Sequence, residues 1–326
     1  MGIKMNVNAI AVDARLESAY GAGAAVAVSS AFESANLLFR NKTPFDVNTE
    51  EIDLNPLSTS FTDPGSTIGN QTSTLRPGFN LQAYGSSIAG YRLDAIYRMC
   101  GMARTTPGAG TAVYKFRSSG FESGDVHFFE DSVSGNGLLH RILGCYGSLV
   151  WAGSAGQPIT IEATLQGAYA AATSFAAPTL TLPAANIATM KAESCTIAIA
   201  GGSTITPVGK SFSLDQGWPI NPDTDFNASS GLAGYLMGKR APRLTMTIGM
   251  TASEYLALEA AKDSGARLTT IFTHTDSDGG KTRFTIKTRI AKMTKGEEND
   301  HGTLAIEQKL SAATAEDELM IEVWKP

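Results

Sequence analysis

Gly209, Lys210 and Ser211 stand in the order that ends a phosphate-binding loop, in which backbone N–H groups and a lysine cradle a nucleotide's phosphates. The first glycine of such a loop belongs at position 204, which holds Thr204, and a helix should follow where Phe212 to Leu214 alternates like a strand. Asp276, Asp278 and Gly279 begin like a calcium loop, yet the third acidic ligand and the closing glutamate are missing. Asp278-Gly279-Gly280 between two strand-like runs has the composition of a hairpin turn. The four histidines, His127, His140, His274 and His301, contain no His-x-x-x-His pair, and no serine lies in a Gly-x-Ser-x-Gly elbow. Cys100, Cys145 and Cys195 are far apart and odd in number, so they read as small buried apolar residues in a reducing compartment. The acidic groups Glu297, Glu298, Asp300 and Glu316, Asp317, Glu318 read as solvated turns, with charge on the wall of a pore as the other possibility. No catalytic, cofactor-binding or metal-binding residue is assigned, and no cofactor is expected.

The elements that carry these residues follow from composition. A chain of 326 residues is long enough for two ordinary domains or one large β domain. Its net charge of -5 and 17% of charged residues do not suit a protein that wraps nucleic acid by neutralising phosphates. The start of the chain lacks a basic stretch followed by an apolar core, and no run approaches the ~18 apolar residues of a membrane helix, so no membrane partner is expected. Abundant glycine (33 residues), threonine and serine favour many short strands joined by turns. The fold class is mainly β.

Residues 1–35, with a Gly/Ala/Ser tract from Gly21 to Ala31, read as an N-terminal arm outside the packed core. Leu37 and Phe39 then share one face of a strand that turns at Pro44 into a polar strand from Asp46 to Asp53. Asn55 to Thr74 reads as a long loop with scarcely an apolar anchor, expected to order against a neighbouring subunit. A strand through Phe79 and Leu81 precedes a short helix carrying Leu93, Ile96, Tyr97 and Cys100 and stopped by Gly101. Strands follow at 113–117, 126–130, 138–149 and 159–166, and the proline-bearing stretch Phe175 to Asn186 reads as a linker. Beyond it come strands at 212–214 and 223–227, alternation from Leu244 to Met250, and a helix from Thr251 to Asp263 with a capping box and Gly265 as stop. Strands at 268–273, 282–292, 303–310 and 319–324 complete the chain.

The two halves share an order. Arg76 and Pro77 precede strand and helix as Arg240 and Pro242 do, and Arg76 to Gly101 spans the same interval as Arg240 to Gly265. This fits a diverged internal duplication, with chance likeness of two β domains as the alternative. The expected division is an arm (1–35), a first domain (36–175, containing the loop 55–74), a linker (176–189) and a second domain (190–326).

Several stretches resemble the major tail tube proteins of bacteriophages with long non-contractile tails, in their two-domain form. They are Leu16 to Gly21, Ala35 to Asn41 running into Thr43-Pro44, Met99-Cys100-Gly101, Thr164 to Tyr169, Lys210 to Asp215 and Asp317-Glu318. The resemblance implies two tandem β-sandwich or barrel domains, each with one short flanking helix, whose strands close a large multi-subunit barrel. It further implies a non-enzymatic subunit that partners itself in stacked rings. Three chains per ring with pseudo-six-fold symmetry are expected, with six chains as the alternative. A tape measure protein and DNA would pass through the lumen, and tail terminator and distal tail proteins would meet the ends. Such a tube belongs to the virion and is assembled in the host cytoplasm. A two-domain β-sandwich adhesin is the rival compatible with the composition.

Overall fold

The structure, a computed structural model, describes residues 5–21, 45–53, 66–81, 91, 93–108, 110–132, 136–176, 191–200, 202–225, 232–275, 279–298, 301–312, 314 and 316–324. These form nineteen strands and two helices. The chain is mainly β, as the glycine- and threonine-rich composition leads one to expect.

Every strand pairing is antiparallel, and two ladders account for most of them. In the first, β1 (Met5–Leu16) pairs with β7 (Gly124–Ser132), β7 with β8 (Asn136–Ser154), and β8 with β9 (Thr160–Ala176). Next to β9 lie β3 (Ser66–Leu75) and β4 (Gly78–Asn80), and β2 (Phe45–Asp53) pairs with β3. In the second ladder, β10 (Lys191–Ile199) pairs with β16 (Leu268–Thr275), β16 with β17 (Lys281–Glu298), and β17 with β18 (His301–Leu310). Beside β18 lies β15 (Arg243–Gly249), and beside that β12 (Val208–Asp215). Taken in chain order within each half, the two ladders run in the same sequence. A helix follows the strand beside β9 or β18 in each: α1 (Asp94–Met99) and α2 (Ala252–Ser264).

The halves differ by local additions. A hairpin of β5 (Met102–Gly108) and β6 (Thr111–Phe116) follows α1 and has no counterpart after α2. The short β11 (Thr204–Ile205) pairs with β10, and β13 (Ile220–Thr224) pairs with β14 (Leu232–Met237). β19 (Leu319–Trp324) lies beside β17 on the same side as β18, continuing that line after the turn at 311–318.

Alternation explains how the strands sit. Along β16, Leu268, Thr270, Phe272 and His274 are buried while their neighbours are half-exposed, the period of two that a one-sided sheet demands. Leu319, Ile321 and Val323 do the same in β19. The inward residues of both halves join one cluster, with Trp151 edge-on to Phe284 at 6.2 Å between ring centroids and Tyr97 edge-on to Tyr114 at 5.0 Å. Each fully buried large apolar side chain of this kind contributes about 1.5–3 kcal/mol.

The helix boundaries follow their caps. Thr251 and Glu254 form the reciprocal capping box, and Gly265 (φ 64°) closes α2 in the left-handed conformation. Gly101 (φ 70°) does so after α1. Several expectations need correction. Residues 5–16 are a sheet strand with Ala14 in the core, so the region 1–35 is not simply an arm. Asn55 to Thr74 is not one loop, because residues 66–75 pair with β2 and β9, and removing them would take out part of the sheet. Backbone pairing needs no apolar side chain, which is why that polar stretch hid a strand. β9 runs through Ala176, and residues 177–190, like Leu37, Phe39 and the Gly/Ala/Ser tract from residue 22, lie outside the described residues. β5, β10 and β14 were not expected. Pro222 sits inside β13, in a pair that stands apart from the main sheet, where a missing N–H is tolerated.

Candidate functional site: the strand seam between the halves

Two strand pairings join the halves. β12 adds to the end of β8, with Ser211 opposite Ser154 and Asp215 opposite Val150, while β19 adds to β6, with Met320 opposite Lys115 and Trp324 opposite Thr111. The sheet therefore continues from one half into the other.

Side chains lock this seam. Gln216 is fully buried: its Oε1 accepts from the Leu149 N–H at 3.0 Å and its Nε2 donates to the Cys100 carbonyl, so one amide satisfies backbone groups of β8 and of the α1 terminus. Trp218 covers Gly101 so closely that a Cβ there would lie 1.5 Å from its ring, and it meets Phe121 edge-on at 5.1 Å. Its indole N–H donates to the Gly238 carbonyl at 2.9 Å. Arg240 stacks its guanidinium over Phe116 (4.8 Å) and Trp218 (5.1 Å), donates to the Arg117 carbonyl and pairs with Glu318 at 3.3 Å. Glu316 accepts from the Ser118 N–H. Beside this seam, Arg98 and Arg117 clasp Glu122; burial alone would lift that carboxyl, but the two arginines outweigh it and hold it below its usual range.

The N-terminal turn is built into the same region. Glu17 accepts from the Gly21 and Gly144 N–H groups, both at 3.1 Å, and from the Ser123 hydroxyl at 2.7 Å. Tyr20 stacks on Tyr146 at 6.1 Å, and burial, aided by nearby Tyr146 and Glu17, pushes its phenol up to about 12.

The residues weighed for chemistry lie elsewhere in function. Gly209, Lys210 and Ser211 are within strand β12, with a bulge between Gly209 and Ser211, and no helix follows. They border a cleft of about 300 Å³ together with Cys195 and Phe272. Asp276 and Asp278 lie outside the described residues, while Thr275 pairs with Lys281 across the turn and Gly279 (φ 81°) is left-handed, as a hairpin turn requires. His274 is buried against Phe212, Phe272 and Phe284, His140 packs on Phe45 and Phe128, and His127 sits 3.1 Å from Asp125. No group of three or more metal-ligating side chains occurs among the described residues. All three cysteines are free thiols, and burial raises each, Cys195 to about 12, which leaves them protonated and poorly nucleophilic at neutral pH. The second acidic run is a correction: Glu316, Asp317 and Glu318 are not free in solvent but hold Ser118, Lys287 and Arg240.

Strand pairing across the seam, a shared core and buried polar contacts define a mainly β protein whose two halves are joined by continuous sheet. The family model described as phage tail tube protein matches residues 8–314, and the chain belongs to that family. It is a virion component and a structural protein of the tail tube. No curated protein matches the chain. Of the stretches carrying the family resemblance, Met99 to Gly101, Lys210 to Asp215 and Asp317-Glu318 meet at the seam just described. No helix among the described residues is long and apolar enough to cross a membrane.

Proposed function

We propose that the chain polymerises as stacked rings whose lumen conducts the genome, and before it a tape measure protein, from capsid to host, in the manner of long non-contractile tails. The observation that carries this reading is the repetition of one ladder order in both halves. If residues 36–175 together with β1, and residues 190–326, each count as one tube domain, with 176–189 between them, three chains supply six domains to a ring. Heterologous contacts then close it, and closure removes edge strands that would otherwise aggregate. With about 24 strands facing inward at ~4.8 Å spacing and ~40° tilt, the barrel's backbone diameter is roughly 48 Å, wide enough for duplex DNA after side chains are subtracted. A net charge of -5 suits a passage that must not bind phosphates by counterion release. Tail terminator and distal tail proteins would meet the tube's ends, and assembly would take place in the host cytoplasm.

Electron microscopy of the purified chain should show rings or tubes with an open centre. A protein that stays monomeric at all concentrations, or that forms only unhollow aggregates, would refute the proposal.

A further inference from the structure

Three strands of the second half set three cations side by side on one face. Across β15, β18 and β17, Arg243 stands directly opposite Lys309, and Lys309 directly opposite Arg289. Residues paired in this way project from the same side of a sheet. Their chain neighbours Leu244, Gln308 and Thr288 are buried, so the alternation of a strand turns the three long side chains away from the core, and all three are exposed.

Like charges directly opposite one another, with Cβ atoms about 4.5–5.5 Å apart, work against the ladder that holds them. None of the three forms an ion pair among the described residues, and the carboxylates around them are engaged elsewhere. Asp215, opposite Arg243, accepts from the Gly217 N–H at 2.8 Å; Glu307 lies 3.8 Å from Lys292; and Asp317 holds Lys287, two residues before Arg289. Further along the same face Thr247, Ala305 and Thr294 stand opposite one another, short and uncharged, so the cations rise from a face of small side chains.

We propose that the row of Arg243, Lys309 and Arg289 is a contact site for the phosphodiester backbone of duplex DNA. The inference rests on the reading that the lumen conducts the genome, and it names where on the chain the genome touches. Two guanidinium forks match phosphate oxygens bidentately, and the ammonium between them adds a point charge. The row spans about 10 Å, two strand spacings, whereas duplex DNA carries one charge per about 1.7 Å of its axis, so a passing duplex meets the row with phosphates in any register. An acidic polypeptide would need its carboxylates spaced to fit. The net charge of -5 keeps the chain as a whole from wrapping DNA, and three phosphate contacts guide a duplex without trapping it.

Titration of a short fluorescent duplex with the purified chain tests this. Three phosphate contacts give a slope of about -2.7 in log K against log salt, a loss of about 40-fold in affinity between 50 and 200 mM. Each of Arg243→Gln, Lys309→Gln and Arg289→Gln should lower that slope by about 0.9, and the triple variant should lose salt-dependent binding. Because these changes relieve repulsion, the triple variant should stay folded and form the same rings or tubes. Lys115→Gln with Lys262→Gln removes the same charge as Arg243→Gln with Arg289→Gln from exposed positions off the row, and should leave binding unchanged. Rings that form normally without any DNA binding, or with binding that survives the triple variant, would overturn the inference and leave the ring reading intact. Polyglutamate bound as tightly as the duplex would overturn it too, by assigning the row to an acidic polypeptide. Failure of the unsubstituted chain to form rings or tubes would remove both.

Discussion

Gln216→Leu should lower the unfolding free energy on the order of 2–5 kcal/mol, although leucine nearly matches the volume of the side chain it replaces. The change orphans two buried backbone groups, the Leu149 N–H and the Cys100 carbonyl, that the glutamine amide now satisfies. Each costs about 1–3 kcal/mol when left without a partner and without water. The Gln216 N–H still donates to the Leu149 carbonyl at 3.0 Å, so the strand itself stays anchored and the loss is confined to the amide. Denaturant unfolding with an unchanged slope measures it. A loss below about 0.5 kcal/mol would mean that water or a shifted backbone replaces the amide, and that the buried glutamine is not what joins β8, α1 and β12.

Gly101→Ala should be comparably damaging, for two separable reasons. The residue is left-handed at φ 70°, which costs an alanine roughly 1–2 kcal/mol. The new methyl would also lie 1.5 Å from the Trp218 ring, forcing that ring out of place at a further cost of about 1–3 kcal/mol. The second part can be removed: in a Trp218→Ala background the glycine substitution should cost only the backbone share, so the double-mutant cycle should show coupling of roughly 1–3 kcal/mol. Additive effects would contradict the packing described here.

How much of this was legible follows from the same residues. Both helices could be located because their ends are written locally, in Thr251 with Glu254 and in the glycines at 101 and 265. Strands with apolar alternation, such as those through Leu268 and Leu319, were equally plain. The strand at 66–75 was not, since threonine, serine and asparagine give no one-sided pattern and its order comes from ladder hydrogen bonds to β2 and β9. The arm reading failed similarly, because Ala14 is buried by a strand whose partner, β7, comes more than a hundred residues later in the chain. The seam was least visible. Gly101 announced a helix stop but not Trp218 lying over it, a contact that depends on how one half folds against the other, and Glu318 announced a charged turn but not Arg240, its distant partner in the same half. The family resemblance, by contrast, marked residues that the seam later gathered.

We propose that one chain supplies two domains to a ring. A reconstruction of the assembled tube tests it most directly, through the rotational symmetry of a single ring. Three chains per ring are expected, with true three-fold symmetry, approximate six-fold repetition and both ladders beside the channel. Six identical chains per ring, with residues 190–326 standing off the channel, would contradict it.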